Sequence, residues 1–266
     1  MSKHKLSASA LSLYLRSPRA YYWRYITKLD PVVQSVATFD HDKICGILWA
    51  EFVDRFYKGV GEAENTDKLF QDWQEQTQGW VPPKVSERLT TALQAWATAY
   101  YQMFNPTDGC RNGSEKLVEN DRFVGYLDGL SHDLIIHECK TTSRAPQLSE
   151  QLLRVQSSIQ IKLYAVMTKA NGVVIEFSFK DSPYQVFRAP MLPITQQQRE
   201  HWEQELNALA DSIYALGTDE HNFPCHPDGC TIISKNFVGL CPYQSLCLDG
   251  LTEVTAIAFK TKEHRK

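Results

Sequence analysis

The sequence predicts an α/β fold: a small mixed β-sheet flanked by helices, with a helical N-terminal region and a cysteine-bearing C-terminal segment. Three observations lead there. Apolar residues recur at helical spacing through the N-terminal part, they switch to strand-like alternation after a cluster of turn signals, and helical and strand-like stretches then alternate through the middle of the chain. Hydrophobic residues make up 43% of the 266 positions, enough to bury a sizeable core. On this reading residues 1–110 form a helical region packed on the core, 111–220 the core itself, and 221–266 a cysteine-rich segment and tail.

The elements follow in order. Ser7 or Ser9 caps a short helix through Leu15, and Pro18 suits the first turn of a second helix running to about Tyr25. Residues 30–38 read as loop. Residues 40–58 place Ile44, Leu48, Phe52 and Phe56 at helical spacing, with Ile47 and Val53 beside them, and residues 84–104 do the same with Leu89, Leu93, Trp96 and Tyr100. Asn105-Pro106 and Asp108-Gly109 then signal turns. Residues 116–120, 122–128 and 134–140 read as strands, the last two joined by the turn-rich stretch 129–133. A long amphipathic helix is expected over 147–169, ended by Asn171-Gly172, followed by strands at 173–180 and 184–189 and a helix at 195–216.

The net charge of −3 means that any nucleic-acid contact must come from a local basic patch. One lies in residues 1–29, where Lys3, Lys5, Arg16, Arg19, Arg24 and Lys28 occur without an acidic residue, interleaved with Tyr14, Tyr21, Tyr22, Trp23 and Tyr25. The same pattern suits a helical pair whose aromatic residues pack on the core, and the two readings are compatible. No apolar run approaches the roughly 20 residues that span a bilayer, and the N-terminus lacks a signal core, so a cytoplasmic protein without a membrane segment is expected. Seven cysteines in such a chain point to reduced thiols or metal ligands and not to a disulfide framework.

The chemistry concentrates in residues 123–142, FVGYLDGLSHDLIIHECKTT. Within a strand Glu138 and Lys140 project from one face, and Asp128 ends the preceding strand. Two carboxylates and a backbone carbonyl are hard ligands suited to Mg²⁺ or Mn²⁺, and a neighbouring ammonium can orient water or stabilise charge on a phosphate. A simple hairpin register leaves Asp128 and Glu138 out of step by on the order of 10 Å, at about 3.3 Å per residue. A bend is therefore expected, with Gly125 and Gly129 as the residues that permit a bulge. A hairpin carrying ordinary surface charges is the competing reading of these residues.

Taken together, LSASALSLYLRSPRAYYWRYI, GYLDG, HECKTT and QIKLY form an ordered series that resembles RecB-type nucleases of the PD-(D/E)xK superfamily, including phage and CRISPR-adaptation exonucleases. The resemblance covers most of the chain and implies a restriction-endonuclease-like core. It implies that Asp128 and Glu138 are the acidic metal ligands, that Lys140 is the catalytic lysine, and that the Cys139 carbonyl also faces the metal. Gln160 and Tyr164 match the family's QxxxY motif, at a spacing that puts both on one helical face beside the site and the DNA. Arg19 and Arg24 are expected to contact DNA as well.

Two features depart from the family pattern. Its GxxxH helix carries a metal-binding histidine, whereas Gly46-Ile47-Leu48-Trp49-Ala50 puts alanine there. Either Glu51 or Asp54 substitutes, or the site lacks this ligand. Some family members also hold an iron-sulfur cluster through one N-terminal and three C-terminal cysteines. Cys230, Cys241 and Cys247 resemble the last three, but Ser17 replaces the first. Cys225 is the alternative fourth thiolate, giving a [4Fe-4S] cluster or a Zn²⁺ site, and unligated thiols are the plain reading.

The expected function is metal-dependent hydrolysis of DNA phosphodiester bonds, as an exonuclease on DNA ends in recombination, repair or phage DNA processing, with recombination or replication proteins as partners. The alternatives are a catalytically impaired DNA-end-binding module and a structural subunit of a recombination complex.

Overall fold

The computed structural model describes residues 4–31, 41–62, 64–77, 83–104, 116–142, 152–155, 157–225, 231–234, 237–249, 251–252, 255 and 259–261. The chain divides into two compact units, each assembled from segments remote in sequence. One comprises Met1–Ala37, Asp121–Phe123 and Gln204–Lys266, and the other Thr38–Asn120 and Val124–Glu203. They are called here the terminal and central units. Among the described residues no helix is long and apolar enough to cross a membrane.

In the terminal unit Ser7 caps α1 (Ala8–Arg16), its Oγ accepting from the Ala10 N–H at 3.2 Å. Ser17 caps α2 (Pro18–Tyr21) in the same way, with proline in the first turn, and the helix continues as a π-helical turn over Tyr22–Ile26. Tyr21 is fully buried, its ring centroid 5.6 Å from that of Tyr14 and 5.3 Å from that of Tyr25. These aromatics therefore include real core residues. Residues 29–31 depart from the loop expected at 30–38, forming β1 (Leu29–Pro31), which pairs antiparallel with β11 (Phe259–Thr261). Its partner lies near the other end of the chain, where local patterning cannot reveal it. The remainder of the expected loop, residues 32–38, lies outside the described residues.

The central unit opens with α3 (His41–Tyr57). A π-helical turn at Glu64–Lys68 leads into α4 (Leu69–Thr77), an element absent from the sequence reading, and α5 (Pro83–Met103) follows. Leu48, Trp49, Phe52 and Phe56 of α3 interlock with Leu93, Trp96 and Tyr100 of α5, an aromatic core with ring centroids as close as 4.6 Å. The hairpin of β2 (Lys116–Glu119) and β3 (Val124–Leu127) comes next.

The main sheet has the order β4-β5-β6-β7: β4 (Gly129–Leu130), β5 (Ile135–Thr142), β6 (Gly172–Phe179) and β7 (Val186–Arg188), with β8 (Leu192–Pro193) also pairing β6. β5 and β6 run parallel and are bridged by α6 (Ile159–Thr168), while the other pairings are antiparallel, so the sheet is mixed. β6 is buried along its whole length, as a strand covered on both faces requires. Leu127, Ile136, Ile161, Tyr164, Val173, Ile175 and Phe177 form the core on the α6 face.

The helix expected at 147–169 is interrupted. A helical turn at 152–155 is separated from α6 by Ser157 and Ser158, and Ser158 has an extended backbone while its Oγ accepts from the Ile161 N–H at 3.3 Å. Serine competes for backbone hydrogen bonds inside a helix and favours this capping position. Residues 147–151 lie outside the described residues. α6 ends at Lys169, which adopts the left-handed conformation at φ 57°, ahead of the expected Asn171-Gly172 stop. The last long helix, α7 (Gln196–Ala215), begins in the central unit and continues in the terminal one. The terminal unit also contains the hairpin of β9 (Thr231–Ser234) and β10 (Phe237–Leu240), then α8 (Gln244–Asp249).

Candidate active site

The site is built by the turn between β4 and β5. Gly129 pairs with His137 and Leu130 with Ile136, and the Ser131 N–H donates to the Ile135 carbonyl at 3.0 Å. Continuing that register by one position sets Asp128 opposite Glu138. The offset of about 10 Å expected from a simple hairpin is therefore absent, because the turn occupies residues 131–134 and β4 already belongs to the ladder. The β2–β3 pairing runs uninterrupted through Val118 opposite Gly125, and the expected bend lies at Asp128 itself, between β3 and β4. Asp128 sits at a bend, and its Oδ2 accepts from the Cys139 N–H at 2.8 Å, taking the place of a ladder carbonyl. The chain thus fixes one carboxylate directly on the backbone between Glu138 and Lys140.

Glu138 is 0% exposed, and its Oε1 accepts from the Lys140 ammonium. Gln160 Oε1 accepts from the same ammonium at 3.2 Å, and Gln160 Nε2 reaches the Tyr164 hydroxyl at 3.4 Å. Burial pushes the Glu138 carboxyl up to about 7, with the neighbouring Asp128 charge adding to the shift and Lys140 and Gln160 opposing it. Burial alone would lower the Lys140 ammonium, but the charge and hydrogen bond of Glu138 hold it above the ordinary lysine value. Tyr164 lies against Gly125 so closely that a Cβ there would stand 2.5 Å from its Cε1. Gly125 serves this close approach.

The structure thus brings together Asp128, Glu138, the Cys139 backbone, Lys140, Gln160 and Tyr164. These residues fit a divalent cation. Among the described residues Glu138 Oε2 is buried without a hydrogen-bond partner, and a divalent cation shared by the two opposed carboxylates would relieve the repulsion that Lys140 offsets only in part. PD-(D/E)XK nucleases in general use divalent metals for their chemistry.

Other expected ligands are placed elsewhere. Glu51 pairs with Arg55, which also binds Asp72 at 2.8 Å, and Asp54 pairs with Lys58 at 2.5 Å. Gly46, at the start of the GxxxH-like stretch, does run beside β5, where a Cβ on it would lie 3.8 Å from Thr141 Oγ1. Among the described residues no three His, Cys, Asp or Glu side chains are grouped to hold a metal. Cys225, Cys241 and Cys247 are not joined in disulfides, and Cys230 lies outside the described residues. In the terminal unit Arg19 is committed to the Glu220 carboxylate and the Phe223 carbonyl, while Arg24 is exposed.

The opposite face of the sheet carries a polar network that sequence reasoning missed. Glu176 of β6 is 0% exposed and pairs in register with Cys139 on one side and Arg188 on the other. Its carboxylate accepts from Arg188 Nε at 2.8 Å and from the Tyr100 hydroxyl at 2.5 Å. Arg188 also donates to the Tyr57 hydroxyl at 2.8 Å and stacks 3.6 Å from the Phe104 ring centroid. Burial raises the Glu176 carboxyl, but His137, Arg188 and Tyr100 outweigh it and hold it below the ordinary value. The one sequence signal was a lone acid inside the apolar run GVVIEFSF.

No curated protein matches the chain. Among solved structures it is similar to a phage related exonuclease from Haemophilus somnus 129PT, at 12% identity and a TM-score of 0.37, over 62% of this chain and 93% of that one. At that level the likeness carries no argument. The model of the PD-(D/E)XK nuclease superfamily matches residues 5–248, a span that includes every residue of the site built above. The chain belongs to the PD-(D/E)XK nuclease superfamily.

Proposed function

We propose that the central unit hydrolyses DNA phosphodiester bonds with Mg²⁺ or Mn²⁺ held by Asp128, Glu138 and the Cys139 carbonyl, and that it acts as an exonuclease on DNA ends. The observation that carries the reading is the buried Glu138, with one oxygen unpartnered, opposite Asp128 and in contact with Lys140. A bound divalent ion supplies a more acidic water and neutralises charge on the phosphate. Lys140, steadied by Glu138 and Gln160, donates to the attacking water or to the phosphate oxygen as charge develops there. Asp128, tied to the Cys139 N–H, keeps the two carboxylates in a fixed relation without a reorganisation cost at the moment of reaction.

The test is cleavage of end-labelled single- and double-stranded DNA by the purified protein with Mg²⁺ and with Mn²⁺. Lys140→Ala is expected to lower the rate by about 10²–10³-fold, the loss seen when one preorganised charge-stabilising donor is removed. Undiminished cleavage by that variant would remove the proposed mechanism. A role in recombination, repair or phage DNA processing, with protein partners from those processes, is part of the same proposal. Ala50 supports a second reading, a DNA-end-binding module without turnover. It would appear as tight, salt-sensitive DNA binding and no cleavage with any divalent metal.

A further inference from the structure

Glu176 ties the two faces of the main sheet together. Its side chain projects with that of its partner Cys139 toward the α3/α5 core, away from Glu138 and Lys140. Its backbone meets the catalytic stretch directly. The Cys139 N–H turns to Asp128 and the Ile135 carbonyl accepts from the Ser131 N–H, so these alternate residues of β5 direct their peptide groups away from β6. The intervening residues face β6, as the Thr142 carbonyl does in accepting from the Lys180 N–H at 3.0 Å. On β6 the Ile175 carbonyl accepts from the Ala189 N–H, which leaves the peptide groups of Glu176 facing β5. A parallel ladder in this register sets them against Glu138 and Lys140, the residues flanking its partner.

We propose that Glu176 is a positioning residue for the hydrolytic centre: its carboxylate, clamped from the α3/α5 face, fixes the stretch of β5 that carries Glu138 and Lys140. The inference rests on the nuclease reading above and adds that the reaction geometry is set from behind the sheet. The clamp comes from several elements. Tyr100 of α5 donates to the carboxylate at 2.5 Å, Arg188 of β7 donates at 2.8 Å and is itself held by Tyr57 of α3, and His137 Nδ1, one residue before Glu138, stands 3.6 Å away. Stability alone is a weak reason for building this cluster, because apolar side chains of similar volume commonly do as well as a buried ion pair. What directed hydrogen bonds add is a single rigid arrangement. They are spent at the β6 position that backs both Glu138 and Lys140, where a displacement of about 1 Å can cost about 10²-fold in rate.

The experiment uses the full-length chain and three readouts: kcat and KM for DNA cleavage with Mg²⁺ or Mn²⁺, Mn²⁺ affinity by titration calorimetry, and the midpoint of urea unfolding. Wild type is compared with Glu176→Ala, Glu176→Gln, Tyr100→Phe and, as a control for general destabilisation, Leu89→Ala in the same α3/α5 core. Glu176→Ala is expected to lower kcat and Mn²⁺ affinity about 10- to 100-fold while KM for DNA stays close to wild type. Glu176→Gln keeps an oxygen for Tyr100 and Arg188 and should recover most of that loss. Tyr100→Phe keeps the ring and loses only the hydroxyl, so a fall of roughly 3- to 10-fold in the same two quantities is expected. Leu89→Ala should lower the urea midpoint and leave both unchanged. Wild-type kcat and Mn²⁺ affinity in Glu176→Ala or, should that chain not fold, in Tyr100→Phe overturns the inference. So does an equal loss in Leu89→Ala, which would trace the effect to destabilisation. The Mn²⁺ titration needs no turnover, so wild-type protein that binds the ion without cleaving DNA defeats the catalytic reading alone, and undiminished cleavage by Glu176→Ala defeats the inference alone.

Discussion

Gly125→Ala is a sharp test of how the site is packed. The added Cβ would lie 2.5 Å from Tyr164 Cε1, 3.3 Å from Cδ1 and 3.4 Å from Cζ, so the ring has to move. The backbone itself has no objection to alanine, since Gly125 is not among the positive-φ glycines and sits in a regular ladder. The whole penalty is therefore steric. Overpacking of this kind costs about 1–3 kcal/mol, and at roughly 2–4 °C per kcal/mol for a chain of this size the melting temperature should fall by about 2–12 °C. Displacing Tyr164 also breaks its contact with Gln160, which in turn supports Lys140, so DNA cleavage should fall more steeply than stability. The assay is thermal and urea unfolding of Gly125→Ala, alone and combined with Tyr164→Ala. With the ring removed the new methyl has nothing to strike, and Gly125→Ala should become neutral or stabilising by up to about 1 kcal/mol through reduced unfolded-state entropy. An equal penalty in both backgrounds would refute the packing argument.

Three further outcomes follow from the same structure. Arg188→Ala should destabilise the chain by about 3 kcal/mol in urea unfolding, the lower part of the range for breaking a buried pair because Tyr100 still donates to Glu176; a loss under about 1 kcal/mol would show the pair to be dispensable. Because the Glu176 carboxyl is held below its ordinary value, it contributes stability that is present above the unfolded carboxylate value and lost as pH falls through its own lower one. Glu176→Gln should therefore flatten the decline in urea stability below about pH 4.3, and an unaltered acid slope would contradict that sign. Finally, calorimetric titration with Mn²⁺ should give Glu51→Ala and Asp54→Asn affinities within about twofold of wild type, and a loss greater than about tenfold for Asp128→Asn. A large loss in Asp54→Asn would place that side chain in the metal site.

What the sequence revealed was the part of the fold written in local periodicity. The α3 and α5 helices, β5, and the coincidence of Glu138 and Lys140 on one strand face all follow from spacings of two to four residues. So does the pairing of Gln160 with Tyr164 on one turn of α6. The relation of Asp128 to Glu138 was harder to read. Leu134 adopts the left-handed conformation at φ 60°, closing the turn without a glycine or asparagine to advertise it, and that tight closure brings the two acids into register. The Glu176–Arg188 network was equally hidden, because its members lie on α3, α5, β6 and β7, and only tertiary packing assembles them. The break at Ser158 shows a capping preference overriding an amphipathic pattern that runs straight through it.

The terminal unit is sewn together from both ends of the chain, with Leu29 of β1 opposite Thr261 of β11. The central unit is drawn almost entirely from the stretch in between, interrupted only by Asp121–Phe123. During synthesis Asp128, Glu138, Lys140, Gln160 and Tyr164 all emerge, with their packing partners, well before β1 meets its strand mate. Closing so long a loop is entropically slow compared with the nearby contacts around the site. The nested order therefore lets the segment holding those side chains collapse on its own neighbours first, and leaves β1 to complete its two-stranded sheet only when β11 has left the ribosome.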